Sequence, residues 1–208
     1  MHVIAVLSQK GGAGKTTLAV HLAVAAEQAG QAAAIIDLDP QASVTGWADS
    51  RSSDAPAVVS AQASRLRQVL DVAERGGAAL AIIDTAPHSE SAALAAAREA
   101  DLILIPCRPA ILDLRAIGQT VDLARLAGKP AAIVLNAVPP RGTLTDEAVQ
   151  AVEAYGLPVA PIYLGHRACA RALSHGRSGG SGIRAGGEGG KGSRTAISVD
   201  ATTIGETT

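Results

Sequence analysis

The chain has 208 residues, 48% of them hydrophobic and 18% charged, with 18 Lys and Arg against 19 Asp and Glu. A net charge of −1 excludes a general polycation, so any affinity for nucleic acid must come from a local patch. With 44 Ala, no Phe and only Trp47, Tyr155 and Tyr163 as aromatics, the core must be Val, Ile, Leu and Ala, which requires helices packed closely on a sheet.

The first apolar run, His2 to Ser8, reads as a buried strand. It runs into QKGGAGKTT and then into an apolar-periodic helix, Lys15 to Ala29. Strand, glycine loop and helix are the order that a phosphate-binding loop requires. The strict pattern GxxxxGK[ST] needs glycine at position 9, where Gln9 stands. Instead Gly11, Gly12, Ala13, Gly14, Lys15, Thr16 and Thr17 give a GGxGKTT form preceded by Lys10. The glycines let backbone N–H groups turn toward phosphates, and the helix N-terminus adds positive potential. Lys15 is expected to reach the β and γ phosphates, and the Thr16 hydroxyl to ligate Mg²⁺.

The second strand, Ala33 to Leu38, leads into DLDPQ, placing Asp37 and Asp39 where ligands sit in open parallel sheets. Two carboxylates beside a polyphosphate favour a metal and water site, while Asp39-Pro40 as a turn with Asp37 as a helix cap stays open. The polar segment Asp49 to Pro56 reads as a surface loop before a short strand, Ala57 to Ser60, and Ser64 to Arg75 as a helix. Next comes the strand Leu80 to Asp84, with Asp84 closing an apolar run, followed by a helix from Ser89 to Ala100. His88 between them reads as an exposed loop histidine, not a general base.

Leu102 to Pro106 is a strand, Ile111 to Ala127 a helix, Ala131 to Val138 a strand holding Asn136, and Leu144 to Tyr155 a helix. Strands apolar on both faces that alternate with helices indicate a doubly wound α/β domain, a mostly parallel sheet with helices on both faces. Its extent is residues 1–175. Cys107 and Cys169 lack a CxxC or a His cluster, so neither zinc nor iron–sulfur is indicated. The longest uncharged stretch, Ala154 to Gly165, is too short for a spanning helix, and MHVIAVLSQK is no signal peptide, so a cytoplasmic location is expected. A last helix from His166 to about Ser174 carries Arg167 and Arg171, which could touch DNA phosphates. Residues 176–208 hold nine glycines between Gly176 and Gly192 and are expected to carry little fixed structure.

KGGAGKTT, opened by a lysine, resembles the deviant Walker A motif of the ParA/MinD family of P-loop ATPases. The resemblance implies ATP and Mg²⁺ as cofactors and a dimer that sandwiches two nucleotides. It gives Lys10 the role of crossing that dimer to the partner's phosphates and steadying charge on the transferred phosphoryl group. It makes Asp39 the residue that positions the attacking water, Asp37 a holder of the Mg²⁺ water shell and Asp84 the Walker B carboxylate. Thr85 to His88 resembles the switch II region. LILIPCRPAILDLRA resembles a strand, turn and helix that line the dimer interface, with Ala110 in place of a small polar residue. Asn136 matches an asparagine that reads the adenine edge, and Arg141 after it could flank the base.

The iron–sulfur and tyrosine-kinase branches of the superfamily would leave cysteine or tyrosine marks that this chain lacks, and the glycine-rich tail has no amphipathic membrane helix. The loop begins nine residues in, so no helix-turn-helix is expected before it. The expected function is that of a short plasmid-type partition ATPase. Its slow hydrolysis would be stimulated by a centromere-bound partner protein, and its ATP dimer would bind DNA without sequence preference. A small synthetase or ligase on the same loop, or a degenerate copy, are the alternatives. Relatives continue past His175 into an acidic turn and a final amphipathic helix, which glycine, serine and threonine replace here.

Overall fold

The computed structural model describes residues 1–138, 144–165 and 183–185. Arg141, Cys169, the helix expected after His166 with Arg167 and Arg171, and most of the glycine-rich tail lie outside them.

Eight strands form one sheet: β1 (His2–Val6), β2 (Ala33–Asp37), β3 (Ala57–Ser60), β4 (Leu80–Asp84), β5 (Leu102–Cys107), β6 (Ala131–Val138), β7 (Val159–Gly165) and β8 (Ile183–Ala185). Their spatial order is β3-β2-β4-β1-β5-β6-β7-β8, with every pairing parallel except the antiparallel β7–β8 edge. Within the tail expected to carry little fixed structure, the described Ile183–Ala185 pairs with Ile162–Leu164. The other tail residues are outside the described set. The central strands are buried end to end, as parallel strands covered on both faces must be.

Helices α1 (Lys15–Gln28), α2 (Ser43–Asp49), α3 (Leu66–Arg75), α4 (Glu90–Glu99), α5 (Ile111–Ala116), α6 (Gly118–Ala127) and α7 (Leu144–Glu153) cover the two faces. Along β1 the side chains alternate: Val3, Ala5 and Leu7 enter one apolar cluster, Ile4 and Val6 the other. The first cluster takes Leu66 and Leu70 of α3, Ala93, Ala96 and Ala97 of α4, and Val121 of α6. The second takes Leu18, Leu22 and Ala26 of α1 with Val44 of α2. Fully buried alanines on α1 and α4 let these helices lie close to the sheet, which is how a core without Phe fills its volume.

The strands and helices read from the sequence are present, with three differences. Ile111 to Ala127 is two helices that part at Ile117, next to Gly118, a poor helix former. Helix α2 has no counterpart among the expected elements, since Val44, Thr45 and Gly46 carry weak helix propensity over only seven residues. Strand β7 hides behind Pro161 within it and Pro158 just before it, which strand patterns disfavour. Among the described residues no helix is long and apolar enough to cross a membrane.

Register places the site. Val6 and Asp37 both pair with Asp84, so β1, β2 and β4 end level, and the chain leaves all three at the carboxyl edge of the sheet. The loops after β2 and β4 and the end of strand β6 each contain a non-glycine residue in left-handed backbone, Ala42 (φ 51°), His88 (φ 58°) and Ala137 (φ 56°). Strain of this kind, about 1–3 kcal/mol per residue, collects at binding edges and switch loops.

Candidate nucleotide site

The glycine loop rises from the end of β1 and turns into α1 at Gly14, whose C=O accepts the first helical bond from Leu18 N–H at 2.9 Å. Gly14 has φ 95°, and a Cβ there would stand 1.8 Å from Asn136 Nδ2, so only glycine fits. The first turn of α1 contains no acidic side chain, which keeps the positive helix end available to an anion. Ala13 is buried, Gly11 and Gly12 are exposed at the loop crest, and Thr17 lies half-buried in the first turn.

Lys15 is almost fully buried, 7% exposed. Burial pulls its ammonium pKa below the ordinary value, against the opposing pull of Asp84 and Asp39. Thr16 Oγ1 donates to Asp84 Oδ2 at 2.6 Å. Asp84 is fully buried at the end of β4, and desolvation lifts its carboxyl to about 7, with Asp37 pushing the same way and the Thr16 bond and Lys15 pulling back. Its second oxygen, Oδ1, has no hydrogen-bond partner among the described residues. A buried, unpaired carboxylate oxygen beside a threonine hydroxyl is a hard-oxygen donor set aimed at a cation or its water. No three such side chains converge as an all-protein cage among the described residues. That suits Mg²⁺, which typically takes one or two protein oxygens and fills its shell with water and phosphate. The residues present fit the ion.

Asp37 is also fully buried, and desolvation raises its carboxyl pKa. Its two oxygens accept from Asp39 N–H (3.0 Å) and Val44 N–H (3.2 Å), so it ties the start of α2 to the end of β2. This is the capping arrangement that the sequence left open beside a metal-shell role. Asp39 sits on the turn that Asp37 holds, and its Oδ1 accepts from Gln41 N–H at 2.9 Å.

Asn136, matched by sequence to an adenine-reading position, is buried, and its amide serves the loop. Nδ2 donates to Ala13 C=O at 2.8 Å and Oδ1 accepts from Ala137 N–H at 2.7 Å. Lys10 stands apart from the other loop residues. Its ammonium pairs with Asp113 of α5 within the same chain, and its side chain stays 40% exposed. Cys107 beside this pair is buried, with its thiol pushed up to about 11 mainly by desolvation, so it is an inert core group.

The site thus gathers Gly12 to Thr17, Asp37, Asp39, Asp84 and Asn136 at one sheet edge, with Lys10 turned toward α5. Sequence reasoning passed over three residues here. Asp113 holds Lys10, and Arg108 Nη2 lies 3.9 Å from where a Cβ on Gly12 would sit. Thr120 of α6 accepts from Gln9 N–H at 3.1 Å. Arg108 and Asp113 lie in the stretch that resembles a dimer-lining segment and Thr120 in no motif, and each meets the loop only through packing of the β5–α6 segment on β1.

Comparison with known proteins agrees with this geometry. The family model for the CobQ/CobB/MinD/ParA nucleotide-binding domain matches residues 4–178. The "Maintenance of carboxysome distribution protein A" of Halothiobacillus neapolitanus is 33% identical over 176 residues, 81% of each chain. The protein of the same name from Gloeobacter kilaueensis is 39% identical over 164 residues, 74% of this chain and 75% of that one. Among solved structures, cobyrinic acid a,c-diamide synthase from Mycobacterium smegmatis with bound ATP analog and magnesium superposes with a TM-score of 0.70 at 18% identity. That superposition covers 85% of this chain and 93% of the other. With the glycine loop, the level strand ends and the family match in place, the chain belongs to the CobQ/CobB/MinD/ParA nucleotide-binding domain family.

Proposed function

We propose that the protein is an ATP-hydrolysing positioning switch of the ParA/MinD type, which dimerises with ATP, binds DNA without sequence preference and is reset when a partner protein stimulates hydrolysis. The observation that carries this reading is the buried unpaired oxygen of Asp84 beside Thr16, under a loop whose backbone only glycine can complete.

In this reading the loop amides and the α1 N-terminus bind the phosphates, and Lys15 steadies the β and γ oxygens from a buried position that water screens weakly. Mg²⁺, when bound, neutralises phosphate charge, and Thr16, Asp84 and the neighbouring Asp37 are the residues that would hold it or its waters. Asp39, on a turn fixed by Asp37, accepts a hydrogen bond from the attacking water and aims it. Lys10 leaves Asp113 to meet the phosphates of a second copy, where it stabilises charge on the transferring group. Asn136 holds Ala13 and is placed to turn toward the base edge.

The relatives support a broader cargo: two proteins named for carboxysome distribution align over most of the chain, and ParA shares the family. We therefore extend the reading from plasmid or chromosome partition to carrying any large cargo over DNA, with its adaptor in the place of a centromere-bound partner.

Phosphate release from ATP, measured with and without nonspecific duplex DNA, tests the proposal. Slow release that changes with DNA supports it, whereas a small synthetase on the same fold ignores DNA and needs a second substrate. A degenerate copy shows no rise in melting temperature with ATP and Mg²⁺, while saturation at a hundredfold excess over Kd adds about 2.7 kcal/mol.

A further inference from the structure

Lys10 is the residue on which the proposed reaction turns, and what aims it is not in the glycine motif. Main-chain pairing holds the start of the loop as far as Leu7, whose N–H bonds Leu104 C=O at 3.0 Å. Gln9 follows, buried and with a side chain where the strict phosphate-loop pattern has glycine. Its N–H donates to the hydroxyl oxygen of Thr120, 111 positions away, at 3.1 Å. Thr120 is itself 2% exposed on α6. The next residue, Lys10, is held by Asp113 of α5. Two successive loop residues are therefore fixed by the α5–α6 segment, one through its main chain and one through its side chain.

The two ties differ in permanence. The ion pair is partly open to water and joins a flexible side chain, so Lys10 can leave Asp113. The Gln9–Thr120 bond is buried and fixes backbone, and breaking it strands a donor away from water. A backbone fixed at Gln9 sets the point from which the Lys10 side chain swings.

We propose that Thr120 is a positioning residue for turnover: by holding Gln9 N–H, its hydroxyl sets the origin and direction of the Lys10 side chain, separately from nucleotide binding by Gly12 to Thr17. This rests on the hydrolytic role of Lys10 proposed above. Misplacement of a charge-stabilising group by a fraction of an ångström to an ångström lowers turnover by roughly tenfold to a hundredfold, while groups already holding the ground state keep their affinity.

The experiment compares the full-length wild type, Thr120→Val, Thr120→Ser and Lys10→Ala, measuring ATP affinity, kcat and thermal melting for each. Thr120→Val is expected to lower kcat roughly tenfold or more with Kd for ATP within about twofold, and Thr120→Ser, which keeps the hydroxyl, to restore kcat. Should Thr120→Val not fold, Thr120→Ala removes the same acceptor without bulk. Wild-type kcat in Thr120→Val beside an inactive Lys10→Ala overturns the positioning role while leaving the hydrolytic reading intact. An equal loss of affinity and turnover, or a Thr120→Ser as impaired as Thr120→Val, overturns it as well, by making Thr120 a general support of the loop. If Lys10→Ala itself turns over as wild type, the underlying reading fails and the aiming role goes with it.

Discussion

The two lysines of the glycine loop, five residues apart, occupy opposite environments. Lys15 is 7% exposed, faces Asp84 and Asp39, and sits where the loop, α1 and the ends of β1 and β4 converge. Lys10 keeps 40% of its side chain exposed and is held by one carboxylate on α5. A buried lysine among carboxylates cannot travel without leaving buried negative charge uncompensated, whereas a half-exposed one can exchange its partner at little cost. The contrast fits the proposed division of labour, in which Lys15 stays with its own nucleotide and Lys10 leaves Asp113 for another.

Substitutions break that contrast in graded ways. The largest effect is expected for Lys15→Ala, which removes the buried cation facing the phosphates: ATP affinity and turnover fall together, by on the order of a thousandfold in kcat/KM. Titration of ATP against the variant checks it. Lys10→Ala and Asp39→Ala are expected to keep ATP affinity and lose about a hundredfold in kcat, the signature of groups that act only in the transition state. Equilibrium binding set beside phosphate release separates the two behaviours.

Gly14→Ala tests the loop itself. Its Cβ would meet Asn136 Nδ2 at 1.8 Å, and that amide cannot swing away without releasing Ala13 and Ala137. A loss of about 3 kcal/mol in stability is expected, read by chemical denaturation.

Asp84→Asn sharpens the picture from the side of charge. The folded carboxyl titrates at about 7, above its ordinary 3.8, so the folded protein holds this proton where the unfolded chain has lost it. Stability from this group is complete below pH 3.8, declines as pH rises toward 7 and is gone above that. Nucleotide-free wild type is therefore expected to melt lower at pH 8 than at pH 5.5 because of Asp84. Asp84→Asn, with no proton to lose, should remove that slope and gain about 1–3 kcal/mol at pH 8 while abolishing Mg²⁺-dependent hydrolysis.

How much of this was legible depends on whether a feature is written locally. The glycine loop, Asp37, Asp39 and Asp84 follow from strand-end patterns a few residues long, and the sheet architecture from alternating buried runs and helices. Boundaries agree to within a residue or two where a single helix pattern is unbroken, as in α1 and α4, and fail beside Gly118, a poor helix former, where one expected helix is two. Strand β7 is illegible because Pro161 falls inside a near-edge strand, and Ile183–Ala185 because three residues in a glycine-rich run carry no period. In the site, the illegible part is the set of ties between loop and scaffold. That Lys10 rests on Asp113, Gln9 on Thr120 and Ala13 on Asn136 depends on contacts 103, 111 and 123 positions apart, and no spacing rule reaches that far. Asn136 shows this well: an amide at a strand end signals a base contact or a turn, and only the fold reveals that it closes on the loop.

The division between the two lysines is tested most directly by mixing two inactive proteins. Lys10→Ala retains Asp39, and Asp39→Ala retains Lys10, so a mixed dimer contains one site with its own Asp39 and a Lys10 supplied by the other chain. Phosphate release by the mixture is predicted to rise well above the sum of the two variants measured alone. If both variants dimerise with ATP and the mixture stays at that sum, Lys10 acts within its own chain and the account is contradicted.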